Sequence, residues 1–435
     1  PLLSDSIRKL DCTILLTPSN NQSFAIEAEG TNSAGDFGIA GKFGYTHRNA
    51  FTGGEKFGLQ LRASNEAIGS IRNILSYSAW EIGGETTLQF PRLMFPFVDR
   101  DFQRNSNANT EFNLNYSYQT RPDFARTIAG IGLKYRWDSY RQSNMFHTLD
   151  FLDLSYVYLP PYSISDEFRN KYLNSSTLLK YSYEDHLILR TGYSFSYTSK
   201  LLQQRRNGFS AKAGIETAGN SFYGIASLLK TPKQENSYVI GNIKFSQYIK
   251  LDGEYSYTQF LDPSNRIVYH IAMGIGIPYG NSSILPFEKR YYGGGANSVR
   301  GWQVRTLGPG SYNNNGITDY MSQSGDMRAD FNIEYRTKLV WLLELGAFID
   351  AGNVWTLLPY GEQVGGNFDI NNIYREIALG YGIGIRFDFS YFLLRLDWGI
   401  KAYDPSKIGS DAWRFSSNWN IMKDTALHFA VGYPF

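Results

Sequence analysis

The sequence predicts an all-β fold, and three observations carry that prediction. Apolar and polar residues alternate strictly along many segments. No run of 18 or more uncharged apolar residues occurs, so no transmembrane helix is expected. The nearest such run, Leu339 to Pro359, is interrupted by Glu344 and Asp350. Aromatic residues make up 16% of the chain while mean hydropathy is only −0.34. That combination fits polar–aromatic alternation better than a collapsed soluble core.

Residues 1–20 look separate from the rest. IRKLDCTILLTP reads as one strand closed by Pro18 and the turn Ser19-Asn20-Asn21. A lone strand is unstable in water, so it is expected to complete a small domain lying mostly upstream. The chain starts at Pro1 without an initiator methionine or signal peptide, as a mature protein or the C-terminal portion of a longer one would. From residue 21 onward the alternation is continuous. Segments run from Phe24, through Phe37–Arg48, Lys56–Asn65, Tyr77–Phe90, Thr110–Thr120, Arg126–Trp137, Met145–Tyr158, His186–Thr198 and Asn207–Thr217, to a long segment from Val239 to Phe260. Helical patterning is confined to single turns near Asp166–Tyr172 and Phe222–Leu229.

The late segments are the clearest. Ile267, Tyr269, Ile271, Met273, Ile275 and Ile277 share one face, opposite His270, Ala272, Gly274 and Gly276. Ile377, Leu379, Tyr381, Ile383, Ile385 and Phe387 oppose three glycines and Arg386, and Leu394, Leu396, Trp398 and Ile400 oppose Arg395, Asp397 and Gly399. The chain ends in another such segment, in which Leu427, Phe429, Val431, Tyr433 and Phe435 alternate with His428, Ala430 and Gly432. Strict period-2 alternation gives each strand one apolar and one polar face.

A soluble sandwich would pack those apolar faces on one another, whereas a membrane barrel turns them to lipid around a polar lumen. About 16 segments occur, many of the length that a tilted membrane-crossing strand needs. Short connections (49–53, 261–265, 340–341, 389–390) alternate with long ones (159–185, 218–238, 279–324, 354–374, 402–425). Short turns at one rim and long loops at the other are the outer-membrane pattern, and closure removes the sheet edges that lipid does not tolerate. The expected architecture is therefore a transmembrane antiparallel β-barrel from residue 21 to 435, with long extracellular loops and short periplasmic turns.

Composition excludes several functions. A net charge of +2 gives no electrostatic case for a nucleic-acid partner. The single cysteine, Cys12, excludes an intrachain disulfide and a cysteine-built metal site. The five histidines are scattered with no metal-ligand spacing, and no metal is expected. His270 and His428 fall on polar strand faces, where a hydrogen-bonded lumen histidine is the simpler reading. No G-x-S-x-G motif is present; a distributed Ser–His–acid site stays open, but nothing points to one. The Gly380–Gly384 run lies within a strand, not before a helix, and is not a dinucleotide fingerprint. Its glycines face inward, leaving either a smooth lumen patch or a place where another backbone approaches closely.

The segment Tyr291–Trp302, YYGGGANSVRGW, is the focus of the remaining chemistry. It is not a phosphate loop, since no Gly-Lys-Ser/Thr follows and no helix pattern opens after it. It reads either as a plain surface loop or as a loop folded into the lumen. Ala329, Phe331, Ile333 and Tyr335 point outward, so Glu334 points inward; Leu343, Leu345, Ala347 and Ile349 point outward, so Asp350 points inward. A short turn makes these two strands neighbours. Two inward carboxylates invite a cation, and Arg300 could pair with both through its planar fork. Alternatively the carboxylates are solvated and the arginine is unrelated to them.

Val299-Arg300-Gly301-Trp302 resembles the VRG-aromatic motif in loop 6 of the BamA/TamA family of outer-membrane assembly proteins. Phe348, Asp350 and Gly352, in Phe348–Trp355, resemble its F-x-D-x-G motif. Asn332–Tyr335 resembles the preceding strand with its glutamate, and His47–Phe51 with Gly53-Gly54 resembles an early turn of the barrel. The resemblance extends from Gln22 to Phe435 and is nearest in wording to the TamA-like (TamL) members of Bacteroidota. Residues 1–16 then resemble the closing strand of the last periplasmic POTRA domain, and no POTRA array precedes it in this sequence.

The resemblance implies an outer-membrane protein of a Gram-negative bacterium. It would insert other β-barrel proteins or translocate polypeptide, not as an enzyme and without a cofactor. Its partners would be outer-membrane lipid, unfolded β-barrel clients and accessory periplasmic or surface subunits. Arg300, Glu334 and Asp350 would pin loop 6. Phe24 and Ile26 on the first strand would meet Leu427, Phe429, Val431, Tyr433 and Phe435 on the last. That seam is expected to be weak, because Pro434 lacks a ladder donor and the first strand is short and carries Glu27 and Glu29. The aromatic terminus resembles an outer-membrane sorting signal. A two-partner secretion pore and a passive channel are the rival readings.

Overall fold

The computed structural model describes Thr13, Leu15 and residues 20–435, apart from 34–35, 68–77, 96–97, 122–123, 140–141, 161–163, 165, 167–168, 171–183, 235–236, 314–321, 362, 390 and 416–418. The expected POTRA remnant at 1–20 and the helical turn at 166–172 therefore lie largely outside the described residues.

The strands are β1 (Gln22–Ser33), β2 (Asp36–His47), β3 (Lys56–Ala67), β4 (Ser78–Phe90), β5 (Asn109–Thr120), β6 (Ala125–Ser139) and β7 (Gln142–Tyr158). They continue with β8 (His186–Thr198), β9 (Gly208–Ala218), β10 (Val239–Ile240), β11 (Ile243–Phe245), β12 (Tyr248–Phe260) and β13 (Asn265–Pro278). After β14 (Tyr291–Tyr292) and β15 (Ser324–Gly325) come β16 (Met327–Lys338), β17 (Leu343–Trp355), β18 (Ala378–Asp388), β19 (Leu393–Tyr403) and β20 (Thr425–Val431). Among the described residues the main sheet has 18 strands; without the short pieces β10 and β11, 18 − 2 leaves 16 wall strands. Each wall strand pairs antiparallel with the next in sequence. β14 and β15 form a separate two-stranded sheet inside the long 279–326 connection, loop 6.

The alternation places an apolar band outside. Leu114 and Tyr116 on β5, Ile333 on β16, Ile349 on β17 and Ile383 on β18 are all exposed outward. No helix among the described residues is long and apolar enough to cross a membrane, so the strands do the crossing.

The inner face differs around the circumference. On β13 and β16–β19 the inner residues are buried, because loop 6 packs on them. On β5 the inner residues are only half-buried. Charges of alternating sign pair across the intervening wall: Glu111 with Arg136, Lys134 with Asp150 at 3.6 Å, and Arg190 with Asp153 and, at 2.7 Å, Glu216.

Three sequence expectations are corrected. The Val239–Phe260 segment is not one strand: Gly241 and Asn242 both adopt positive φ, +58° and +64°, and fold β10 back onto β11. The last strand does not run to Phe435. It ends at Val431, Gly432 adopts φ +87°, Pro434 is buried, and Phe435 stacks on lumen-facing His270 with ring centroids 4.5 Å apart. Tyr433 leaves the wall too; its hydroxyl lies 2.8 Å from Arg266 Nη2, which donates to it. The first strand is not short: β1 has 12 residues and β20 has 7. Among the described residues, no ladder or bridge joins β1 to β20.

The helical turn expected at Phe222–Leu229 is the helix Asn220–Leu228. A second helix, Arg100–Asn105, lies in the 91–108 connection at the short-turn rim.

Packing on both faces slows local opening of a backbone. Hydrogen exchange measured on the detergent-solubilised protein should therefore find β16–β19 amides exchanging more slowly than those of β3–β5. Equal protection on the two walls would contradict the uneven filling of the lumen.

Candidate functional site: the ion-paired anchor of loop 6

Loop 6 turns back on itself at two glycines, Gly294 and Gly295, with φ +83° and +96°, which side-chain-bearing residues rarely adopt. Gly295 N–H donates to the Trp302 carbonyl at 2.8 Å and closes the turn. Val299 and Trp302 are buried in an apolar cluster with Leu307 and Ala378 of β18. Gly301 packs its backbone against that of β19, where a Cβ would meet Ile400 O at 3.2 Å. The inward glycines of β18 and β19 thus serve close approach: a Cβ on Gly399 would lie 1.9 Å from Arg300 O, and one on Gly382 would strike the Phe348 ring.

That contact delivers Arg300, fully buried, to the inner face of four strands. Its Nε donates to Asp350 Oδ2 at 2.9 Å and its Nη2 to Oδ1 at 2.8 Å, a two-pronged pairing that matches the guanidinium fork. Its backbone N–H also donates to Asp350 Oδ2, at 3.0 Å. Nη1 donates to Glu334 Oε2 at 2.5 Å and lies 3.6 Å from Asp397 Oδ2. The Phe348 ring lies under the guanidinium, 3.5 Å from its centroid to Cζ. Gly352 supplies space: a Cβ there would lie 2.5 Å from Ala329 O. Burial works against the arginine's charge, but the carboxylates of Asp350, Glu334 and Asp397 outweigh it and raise its pKa.

The surrounding groups hold the carboxylates in place. Asn332 donates to Asp350 Oδ1 and to Ser298 O, both at 2.8 Å, and His270 Nδ1 lies 3.0 Å from Asn332 Oδ1. Arg336 Nε and Arg386 Nη2 donate to Glu334 Oε1 at 2.5 and 2.7 Å. Arg395 reaches Asp397 at 3.2 Å and donates to Ala296 O and Asn297 Oδ1 of the loop. The centre therefore sets four arginines against three carboxylates.

The loop has further anchors. Tyr291 OH donates to Asp252 Oδ1 of β12 at 2.7 Å, and within the loop buried Arg290 donates to Ser324 O at 2.9 Å.

The C-terminal end of the chain meets this centre at two points. His428 Nε2 donates to the Arg300 carbonyl at 2.9 Å. Phe435, stacked on His270, lies 5.7 Å from the Arg300 guanidinium. Of the seam residues named from sequence, Phe24 and Ile26 on β1 and Leu427, Phe429 and Val431 on β20 all point outward and are exposed. Asp397 and His428 lie on the polar faces of β19 and β20, and the inward register of these two strands brings both to Arg300, a link that the sequence pattern alone does not make. Among the described residues no group of three or more His, Cys, Asp or Glu could hold a metal.

An antiparallel barrel with an apolar outer band and a loop ion-paired to its inner wall is an outer-membrane barrel. The chain belongs to the Omp85 superfamily, whose domain matches residues 20–433. Over 111 residues it is 34% identical to the outer membrane protein assembly factor BamA of Neisseria meningitidis serogroup B, a match spanning 23% of this chain and 13% of that protein. The fold resembles BamA from Haemophilus ducreyi lacking POTRA domains 1–3, with a TM-score of 0.58 and 15% identity, over 95% of this chain and 70% of that one. It also resembles CdiB from Escherichia coli, with a TM-score of 0.50 and 11% identity, over 96% of this chain and 63% of that one. The protein is an outer-membrane protein of a Gram-negative bacterium.

Removing one partner of a buried ion cluster leaves the rest uncompensated, at a cost of about 3–5 kcal/mol. Arg300→Ala should lower the temperature at which the folded band is lost in heat-modifiable electrophoresis and expose loop 6 to protease. Unchanged mobility and protease resistance would contradict the anchoring. The reversed pair Arg300→Glu with Glu334→Arg should give no rescue, because Arg336 and Arg386 already bond to position 334.

Proposed function

We propose that this protein inserts other β-barrel proteins into the outer membrane by adding their strands at the seam between β1 and β20. One observation carries the reading: both strands are hydrogen-bonded on one side only, among the described residues, so each has a free backbone edge. An unpaired edge is a template for β-augmentation by an incoming strand. No bond-breaking chemistry or cofactor is needed, since the client's ladder hydrogen bonds drive the exchange.

Each seam strand suits this role differently. β1 is 12 residues long and anchored to β2 along its whole length, with Glu29 paired to Lys42 at 2.6 Å. It can hold a client strand in register. β20 pairs with β19 over only seven residues, and its tail turns into the lumen, so it makes a short closing edge. A short strand also favours local thinning of the bilayer, which lowers the barrier to insertion. Arg300, Glu334 and Asp350 do no chemistry here; they stiffen the wall against which the seam opens.

The wording of the loop-6 segment supports a TamA-like subtype of the kind found in Bacteroidota. Residues 1–20 are read as the end of a POTRA domain that would bring clients to the seam. Unfolded barrel clients, outer-membrane lipid and accessory subunits are the partners this function needs. A polypeptide secretion pore is the second reading. It is favoured by the half-buried, charge-lined inner wall of β7–β9, where Arg190, Lys212 and Glu216 border a groove of about 340 Å³.

Locking the seam separates the two. One cysteine placed within Phe24–Gly30 and one within Leu427–Gly432, in a Cys12→Ser background, should crosslink on oxidation and stall assembly of other barrel proteins. A locked seam with normal client assembly would contradict the proposal and favour transport through the lumen.

A further inference from the structure

The 356–377 loop does not simply stand above the rim. Trp355 and Asn353 occupy outward positions on β17, yet both are fully buried. The loop folds down over Trp355, whose Nε1 donates to Glu376 Oε2 at 2.7 Å and whose ring the Phe368 ring meets edge-on at 5.9 Å, while Asn353 Nδ2 donates both to Glu376 O of this loop and to Gly310 O of loop 6. The result is a protein shelf on the outside of the wall, at the long-loop end of β16 and β17.

Beneath the shelf the wall is notched. Gly253, Met273 and Ala329 lie side by side on β12, β13 and β16, all facing outward. A Cβ on Gly253 would meet nothing within 4 Å. The small residues at both sides of Met273 open a groove of about 580 Å³, closed at the loop end by Phe368 and Ile377. Its lining is almost wholly apolar, and its volume falls in the range of small-molecule sites, about 300–1,000 Å³.

We propose that this groove holds one acyl chain of a membrane lipid. The groove is continuous with the exposed band of Leu251, Tyr255 and Ile271, the surface that this barrel presents to the bilayer. Water gains little there, because an apolar cavity offers it no hydrogen-bond partners. An acyl chain moving in from the bilayer gains no hydrophobic transfer energy, since lipid tails are as apolar as the lining. What retains it is dispersion contact on several sides at once, which a flat wall does not give. The site therefore recognises the chain and not the headgroup.

The full chain is reconstituted into phosphatidylcholine vesicles doped with a phosphatidylcholine bearing a diazirine on one acyl chain, irradiated, and mapped by mass spectrometry. Labelling should concentrate on the strand segments around Gly253, Met273 and Ala329, several-fold above that on Leu114 and Tyr116 of β5. Those two residues also face lipid but have no shelf beside them. Filling the notch with Gly253→Leu and Ala329→Leu should reduce the excess to the β5 level, with the heat-modifiable mobility shift retained. If that variant fails to fold, Phe368→Ala with Ile377→Ala opens the shelf and should give the same loss. Equal labelling of the two walls, or an excess that survives in a folded variant of either kind, would overturn the proposal.

Discussion

Burying the Arg300 guanidinium is tolerable only if its charge and its donors are matched, and the structure of one half of this barrel follows from that demand. Three carboxylates on three different strands, Glu334, Asp350 and Asp397, converge on it. Each sits on the inner face only because its strand alternates in the right register. Each is held by a further partner: Asn332 for Asp350, Arg336 and Arg386 for Glu334, Arg395 for Asp397. Inward glycines let the loop backbone come close enough to deliver the side chain. A buried ion cluster adds little net stability over an apolar core of the same shape. Its directional bonds do fix where loop 6 sits.

That fixing makes the barrel uneven. β13 and β16–β19 are packed on their inner side, while β20 is short and ends in an inward turn. β1 and β20 are then the two strands of the wall that pair on one side only, among the described residues. The anchor and the seam are nevertheless coupled, because His428 of β20 bonds the Arg300 carbonyl and Phe435 rests on the His270–Asn332–Asp350 chain. Movement of the last strand would be felt at the anchor, and loosening of the anchor at the last strand.

Much of this was legible in the sequence, for a physical reason. A strand in a membrane wall has one face in lipid and one in a polar lumen, so the period-2 pattern reports inward and outward directly. The faces of β13 and β16–β19 could be read residue by residue, and with them the inward aim of Glu334 on β16 and Asp350 on β17. What that pattern does not report is where a strand stops. Tyr433 and Phe435 continue the apolar alternation of β20, and only Gly432 and Pro434 signal the turn inward. Gly241-Asn242 is a two-residue hairpin signal inside an otherwise unbroken segment, and it overrode the apparent continuity. The descent of the 356–377 loop onto Trp355 depends on tertiary packing that has no period in the sequence. Asp397 was visible on its polar face, but nothing local tied it to a loop nearly a hundred residues away.

If Arg300 fixes its wall while the proposed seam stays free to open, distances between spin labels will differ on the two sides of the barrel. In a Cys12→Ser background, labels at Phe43 on β2 and Leu396 on β19 straddle the seam. Labels at Ile333 on β16 and Ile400 on β19 form a reference pair on the anchored wall. Each pair is separated by three strand spacings, about 14 Å in a closed sheet. Double electron–electron resonance on the protein in lipid should give a narrow distribution for the reference pair and a longer, broader one across the seam. Equally narrow distributions at the same distance would mean a closed, fully paired barrel and would contradict the account.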